Sequence, residues 1–341
     1  GFLFDVLLLH RIDSTPLLIH QGAYLVLAAA LIVWDYWLQF LPTPPQGFIG
    51  AIAQYRLWLM HFLLGTLLNA FLIFYFRASS GILAFSFLVA LAVLIVGNEL
   101  PHFRAKGPVV RIILLSFSVT SYLAYLLPVL WGQLRTWQYA LASILGGAST
   151  FLLWRLLHRL VNDSTWTFRR GVAPSLVLQA LLLALYFAGV IPPVPLSLKH
   201  IGIYANVTPT KDANGNRHYE LSRQQASTWH SWFDRDGTFV DRSGSRAYVY
   251  VRIFAPAAFS DAVRFAWEYE AGDRGWIARG QPFATTLTGG SEAGFRTFAY
   301  STLGRPGQYR VRVLTMDDRE IGRTTFTFVE GDPPEKQMTI D

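Results

Sequence analysis

Two periods of hydrophobicity divide the chain. As far as Ile191 the apolar positions run together, and six windows, Leu17–Leu41, Tyr55–Phe76, Gly81–Val96, Val109–Trp131, Tyr139–Leu160 and Val172–Ile191, each predict a helix crossing a membrane. A hydrocarbon layer about 30 Å thick takes about 20 helical residues to cross. The opening GFLFDVLLL reads as the end of a further, truncated helix that begins upstream of Gly1, so seven crossings are expected. Pro192 and Pro193 then fix φ and remove backbone donors, and a helix arriving from Val172 should stop there. Beyond them the period shortens to two. Ile201, Ile203, Ala205 and Val207 alternate along one expected strand, and Ala247, Val249, Val251 and Ile253 along another. RFAWEYEA, GFRTFAYS, QYRVRVLT and TTFTFVE repeat the pattern.

Turn residues at Asp212–Asn216, Gly289-Gly290, Arg305-Pro306-Gly307 and Asp317-Asp318 separate these strands. Short alternating strands at such intervals predict an antiparallel β-sandwich. The fold class is therefore an α-helical transmembrane bundle followed by an antiparallel β-sandwich, and about 145 residues are enough for the second part to fold without disulfides. Glu220–Trp232 is less periodic and reads as a short helix or a loop. DPPEKQMTID, after Gly331, reads as a mobile tail. The expected domains are a membrane domain over 1–194, a β domain over 195–331 and the tail over 332–341.

Composition sharpens this division. The 341 residues are 52% hydrophobic and 15% charged, with a mean hydropathy of +0.32, too apolar for an ordinary soluble chain of this length. Nearly all of the formal net charge of +7 belongs to the helical half, where eleven of the 29 basic but five of the 22 acidic residues precede Pro195. The β half is close to neutral, which removes the basis for a nucleic-acid partner. There is no cysteine, so disulfides, thiolate metal sites and a cysteine nucleophile are excluded. Arg104, Lys106 and Arg111 in one connection, and Arg159, Arg169 and Arg170 two crossings later, mark the cytoplasmic side of the membrane. Alternation then places the N-terminus in the cytoplasm and the β domain outside. Trp37, Trp58, Trp131, Trp137, Trp154 and Trp166 fall near window ends, where indole rings favour the headgroup region.

Ionisable residues inside apolar windows are the natural candidates for chemistry, because a charge at the bilayer centre costs about 2.5–3.5 kcal/mol or more. Asp35, His61, Glu99 and His102, with Asn98, all map toward the cytoplasmic helix ends. They could converge as a proton path or a His/carboxylate metal site; alternatively they reach headgroups or pair with Arg104 and Arg56. No spacing of the HExxH type is present. A second set, Asp5, His10, Arg11, Asp13 and His20, gathers at the other surface, where Asp13-Ser14-Thr15-Pro16 reads as a helix start. Gly146-Gly147-Ala148-Ser149 predicts close helix approach.

In the β half, Arg252, Arg296, Arg310 and Arg312 fall opposite the apolar sets, interleaved with Tyr250, Phe298 and Tyr300. Arginines among aromatics suit a protein, anionic-lipid or carbohydrate interface; the plainer reading is a solvated strand face with Arg stems lying on apolar surface. Asp212–Asn216 has calcium-loop residue types without the spacing or the distal Glu, and reads as a hairpin turn. His200, His218 and His230 are scattered and define no catalytic set.

GFLFDVLLLHRID at the start, NELPHFRAKG in the middle, IPPVPLSLKHIGIY at the junction, and then YVRIFAP, GFRTFAYS, PGQYRVRVLT and IGRTTFTF resemble the bacterial membrane proteins that end in the domain of unknown function numbered 2914. Tyr309 departs from the pattern, where a Trp is expected after the Pro-Gly turn. The resemblance implies a multi-pass helical anchor and an extracytoplasmic β domain, and brings no activity, cofactor or catalytic residue. The expectation is thus a non-enzymatic accessory or scaffold protein, embedded in membrane lipid. Its periplasmic domain would bind a partner protein, a second copy or an envelope glycan, with no cofactor and no metal. The alternative is an integral-membrane enzyme or transporter built on Asp35, His61, Glu99 and His102.

Overall fold

The computed structural model describes residues 12–39, 41, 43, 45–100, 108–161, 168–211, 217–224, 235–291 and 293–341. Along the main chain they part into two compact units between Pro195 and Leu196. In the first, the described residues form α1 (Thr15–Leu38), α2 (Gly47–Ala53), α3 (Arg56–Ala78), α4 (Gly81–Glu99), α5 (Pro108–Trp131), α6 (Thr136–Val161) and α7 (Ala173–Phe187), with a π-helical turn, Phe168–Val172, leading into α7. Five segments, Thr15–Leu38, Arg56–Ala78, Val109–Trp131, Thr136–Leu160 and Phe168–Phe187, are long and apolar enough to cross a membrane. By length and composition the chain is a membrane protein. The window Gly81–Val96 is helical, but its apolar stretch, Leu83–Asn98, is shorter than the other five. The helix expected before Leu9 lies outside the described residues. α2 was not expected, because the seven residues GFIGAIA are too few to show a period.

Local chemistry sets the helix ends. α1 starts where Asp13-Ser14-Thr15-Pro16 predicts: Ser14 is extended, its carbonyl accepts from the Leu18 N–H at 3.0 Å, and Pro16 occupies the first turn, where no donor is needed. α7 stops before the prolines expected to end it. Gly189 adopts φ +77°, its N–H bonds the Tyr186 carbonyl at 3.0 Å, and the Val190 N–H bonds the Leu185 carbonyl at 3.0 Å. That pair of bonds closes a helix at a left-handed glycine.

A knot of buried polar groups ties α5, α6 and α7. The Gln179 amide donates to Ser116 Oγ at 2.8 Å and accepts from the hydroxyls of Thr120 at 2.8 Å and Ser143 at 3.1 Å. Ser116 Oγ in turn donates to the Gly146 carbonyl. A Cβ on Gly146 would lie 1.9 Å from Thr120 Oγ1, so the missing side chain is what lets α5 and α6 approach. α1 joins α5 through the Tyr122 hydroxyl, which donates to the Leu18 carbonyl at 2.9 Å, and through a Tyr125–Gln21 hydrogen bond. Val26, Phe48, Trp58, Leu83, Val93, Leu152 and Val177 remain exposed, as lipid-facing side chains do.

The second unit holds twelve strands among the described residues: β1 (Ser197–Tyr204), β2 (Asn206–Lys211), β3 (Arg217–Gln224), β4 (Arg235–Asp241), β5 (Arg246–Phe254), β6 (Ser260–Glu270), β7 (Trp276–Ala278), β8 (Phe283–Thr288), β9 (Phe295–Thr302), β10 (Gly307–Thr315), β11 (Glu320–Glu330) and β12 (Lys336–Ile340). They make a sheet β1-β5-β9, a sheet β4-β11-β10-β6-β7 with β8 also on β6, and a small sheet β12-β3-β2. Pairing is antiparallel except for β4 on β11, which is parallel. The expected apolar sets are the core. Ala247, Val249, Val251 and Ile253 are fully buried on one sheet, as are Val263, Phe265, Tyr309, Val311, Val313 and Phe328 on the other. A Cβ on Gly322 of β11 would lie 2.2 Å from Leu198 Cδ2 of β1, so the glycine permits close packing of those two strands. At the turn before β9, a Cβ on Gly289 would lie 1.7 Å from the Pro256 carbonyl.

Three expectations need correction. Ile201–Val207 is not one strand: it breaks at Ala205, and β1 and β2 belong to different sheets. Glu220–Gln224, read as helix or loop, completes β3. The supposed mobile tail forms β12, paired with β3 from Lys336↔Gln224 to Ile340↔Glu220. Its side chains bury nothing, so only main-chain pairing reveals it.

Gly146→Val should lower the stability of the detergent-solubilised chain by about 1–3 kcal/mol through overpacking. Gln179→Leu should lower it by about 0.6–2 kcal/mol through loss of the knot. The temperature at which monodispersity is lost measures both, and an unchanged midpoint for Gly146→Val would show that the helices do not meet there.

Candidate functional site

Asp35 lies in the last turns of α1, while Arg56 and Arg111 lie in the first turns of α3 and α5. Each charge is on the end of its helix that the macrodipole disfavours, and a low-dielectric interior magnifies that penalty. Their pairing offsets it. Asp35, 2% exposed, accepts from Arg56 Nε at 2.6 Å, from Arg111 Nη1 in a short contact and from Gln39 Nε2 at 3.2 Å. Arg111, expected in a cytoplasmic connection, is instead buried in α5. His61 is 4% exposed and meets Asn98: Nδ1 stands 2.9 Å from Asn98 Oδ1, and Asn98 Nδ2 donates to the His61 carbonyl at 3.2 Å. With Oδ1 as acceptor, Nδ1 carries the proton.

Among the described residues Asp35 and His61 thus bond to different partners. The side chain of Glu99 and all of His102 lie outside the described residues, as do Asp5, His10, Arg11 and Asp212–Asn216. Among the described residues no group of His, Asp and Glu could hold a metal ion. His20 is exposed, its ring tilted against Tyr24.

The seven Arg and aromatic residues expected on one face of the β domain lie on two sheets. Arg310 and Arg312 of β10 both pair with Glu268 of β6, a carboxylate 7% exposed. Arg310 Nε stands 2.6 Å and Arg312 Nη2 2.8 Å from it, and the Arg310 guanidinium also covers the Trp276 ring at 4.3 Å. These arginines thus link β10 to β6 within the large sheet. Tyr250, Arg252, Arg296, Phe298 and Tyr300 share one face of β5 and β9, where Tyr250↔Phe298 and Arg252↔Arg296 are register partners. Half of that face is itself covered. Tyr204, Val207, Tyr219, Leu221 and Tyr250 form a second core under the small sheet, with Tyr248 and Phe298 packed against it. Tyr250 is fully buried beneath the small sheet. The other half is open: Tyr300 is 52% exposed, with the Arg246 guanidinium 4.8 Å from its ring and Tyr248 at 5.5 Å.

At the covered end lies a polar pocket that no sequence pattern announced. The Tyr250 hydroxyl donates to Asp341 Oδ2 at 2.8 Å, and Arg252 Nη1 to Oδ1 at 3.3 Å. Tyr219 and Asp341 exchange both backbone bonds, at 2.9 and 3.0 Å. His200 Nε2 stands 2.9 Å from the Tyr204 hydroxyl, and Arg223 lies over the Tyr204 ring at 5.9 Å. Burial pushes the His200 pKa below its ordinary 6.5, and Arg252 and Arg223 push the same way against Asp341. The Tyr250 hydroxyl is held well above the ordinary phenol range, first by burial and then by Asp341. Arg223 falls in the stretch read as less periodic, and Asp341 in the supposed tail.

No protein-family model matches the chain, and no curated protein sequence matches it. Among solved structures, a β-glucosidase from Listeria innocua in complex with isofagomine is similar over 35% of this chain and 17% of its own, at 8% identity and a TM-score of 0.20. An alkylpurine DNA glycosylase from Pseudomonas fluorescens bound to DNA containing an abasic site analog is similar over 90% and 98%, at 12% identity and a TM-score of 0.24. TM-scores this low carry no argument about fold or function.

Asp35→Asn should strand two guanidiniums and destabilise the helical unit by about 3–5 kcal/mol, read as loss of folded protein on detergent extraction. Adding Arg111→Gln should recover part of that loss, and a double variant no better than the single one would refute the pairing. In the β unit, the unfolded chain binds a proton at His200 more readily than the folded one. Stability is thus fully present above pH 6.5 and declines as pH falls through 6.5 toward the lower folded value. His200→Gln should flatten that decline, measured as amide protection of β5 in the full chain, corrected for intrinsic exchange.

Proposed function

We propose that this chain is a non-enzymatic accessory or scaffold protein, in which a helical membrane anchor carries a β unit that captures a partner protein. The observation that carries the reading is the open end of the β5–β9 face, where an exposed Tyr300 is stacked by Arg246 and flanked by Tyr248. Exposed aromatics with an arginine are the side chains that dominate binding energy at interfaces. An envelope glycan is the other ligand such a surface suits.

The helical half supports the anchor role by how its polar groups are used. Asp35 is spent on Arg56 and Arg111, and Gln179 on Ser116, Thr120 and Ser143. Membrane lipid is its solvent: an apolar groove of about 330 Å³, lined by Leu31, Trp34, Ile52, Tyr55 and Leu59 beside Arg56, has the character of an acyl-chain contact. The finer reading is a bundle with seven crossings, its N-terminus in the cytoplasm of a bacterium. A β-sandwich then stands in the periplasm, related to the proteins that end in the domain of unknown function numbered 2914.

Arg246→Glu combined with Tyr300→Ala should abolish co-purification of a stoichiometric companion after gentle extraction from the source membrane, with β-unit folding unaltered. A companion retained at full stoichiometry would rule that surface out. A glycan bound in place of a protein would identify the other ligand class.

A further inference from the structure

β12 is held in an unusual way for a strand. All five of its residues are exposed, with Met338 at 62% and Ile340 at 74%, so no apolar burial fixes it. It is attached by the ladder to β3, by Thr339 Oγ1 to the Leu221 carbonyl at 3.4 Å, and by Asp341 in the Tyr250–Arg252 pocket. Residues Gly331–Glu335 before it make no strand pairing and include Pro333 and Pro334. A strand without buried side chains is worth little beyond its main-chain bonds, and those are the bonds any extended chain would make at the same edge.

The pocket supplies the selectivity. Arg252 bonds Asp341, and the Arg223 guanidinium lies over the ring of Tyr204, whose hydroxyl meets His200. Arg252 Nε is buried with no hydrogen-bond partner among the described residues. Alternation turns Gln337, Thr339 and Asp341 toward this face, and Lys336, Met338 and Ile340 away from it. We propose that the edge of β3 together with the Tyr250–Arg252 pocket is an acceptor site for an extended peptide segment bearing a carboxylate. β12 is its occupant in cis, and a partner segment of the same chemistry displaces it. Recognition is main-chain pairing plus one charge-assisted anchor, with the outward positions left free to vary. This surface is separate from the Arg246–Tyr300 end and does not rest on the reading of that end.

The test uses the full chain with a protease site placed in Gly331–Glu335 and cleaved after folding, then challenged with a labelled peptide DPPEKQMTID. The cleaved chain should take up the peptide while β5 and β9 amides stay protected. A peptide with Asp341→Asn should bind about 10–100-fold more weakly, and one with Met338→Ser within about threefold. In the uncleaved chain, Tyr250→Phe should speed exchange of the Tyr219 amide about tenfold. The proposal is overturned by equal uptake of the Asp and Asn peptides, by no uptake, or by loss of β5 and β9 protection on cleavage, which would make β12 part of the core.

Discussion

Asp35 is buried between the guanidiniums of Arg111, itself buried, and Arg56, a quarter exposed, and three helices must meet for that to be so. In hydrocarbon or in a packed interior an uncompensated charge costs several kcal/mol, so the ends of α1, α3 and α5 are fixed relative to one another by charge as much as by shape. The Gln179 knot does the same for α5, α6 and α7 with neutral groups. Apolar packing alone gives lipid-immersed helices little reason to choose one another, because a lipid tail is as apolar as a leucine. Paired polar groups and the glycine at 146, which brings backbones together, supply that choice.

The β unit meets a different constraint, since its middle sheet is covered on both faces over part of its length. Val249, Val251 and Ile253 face the large sheet, and Tyr250 faces the small one. A sheet with two buried faces needs apolar or fully paired residues at consecutive positions, and the tyrosine hydroxyls meet that need by bonding outward from their rings: Tyr250 to Asp341, and Tyr219 to the Arg296 carbonyl at 3.2 Å. The ionic pairs divide accordingly. Arg310 and Arg312 are spent on Glu268 within the large sheet, whereas Arg246 stays at the open end on Tyr300.

Much of this was legible in the sequence, and the failures have physical causes. Long apolar windows located the helices, because burial in lipid leaves an unbroken run. Period two located β5, β6, β9, β10 and β11, because their inner faces are largely apolar, with Thr297 and Thr324 among the buried exceptions. Period two also suggested that whatever lies opposite the apolar set is solvated, and Tyr250 shows where that inference breaks: a second layer covers it. Arg310 and Arg312 could not be separated from Arg252 and Arg296 without knowing that Arg310 sits directly opposite Glu268, a matter of register between strands 42 residues apart. Asp35 stood out as a charge in an apolar window, and Arg56, one of the partners weighed for that cluster, is bonded to it. Arg111 was taken as a topology signal because an arginine at a helix start looks the same whether it faces headgroups or a buried carboxylate. β12 left no trace, since a strand held by its main chain needs no particular side chains.

Whether a polar contact can be exchanged depends on what replaces it. Withdrawing Asp35 would leave the buried Arg111 guanidinium without its carboxylate in a medium that cannot solvate it, so that contact is permanent for as long as the helices are folded. Withdrawing Asp341 leaves Arg252 one-third exposed and beside water, and water can take the place of the carboxylate at modest cost. The ladder bonds of β12 are likewise replaceable by solvent, and Met338 and Ile340 lose no buried surface on leaving. The two units thus use similar ion pairs to opposite effect: the buried one locks an anchor, and the half-exposed one holds a strand that a competitor can replace.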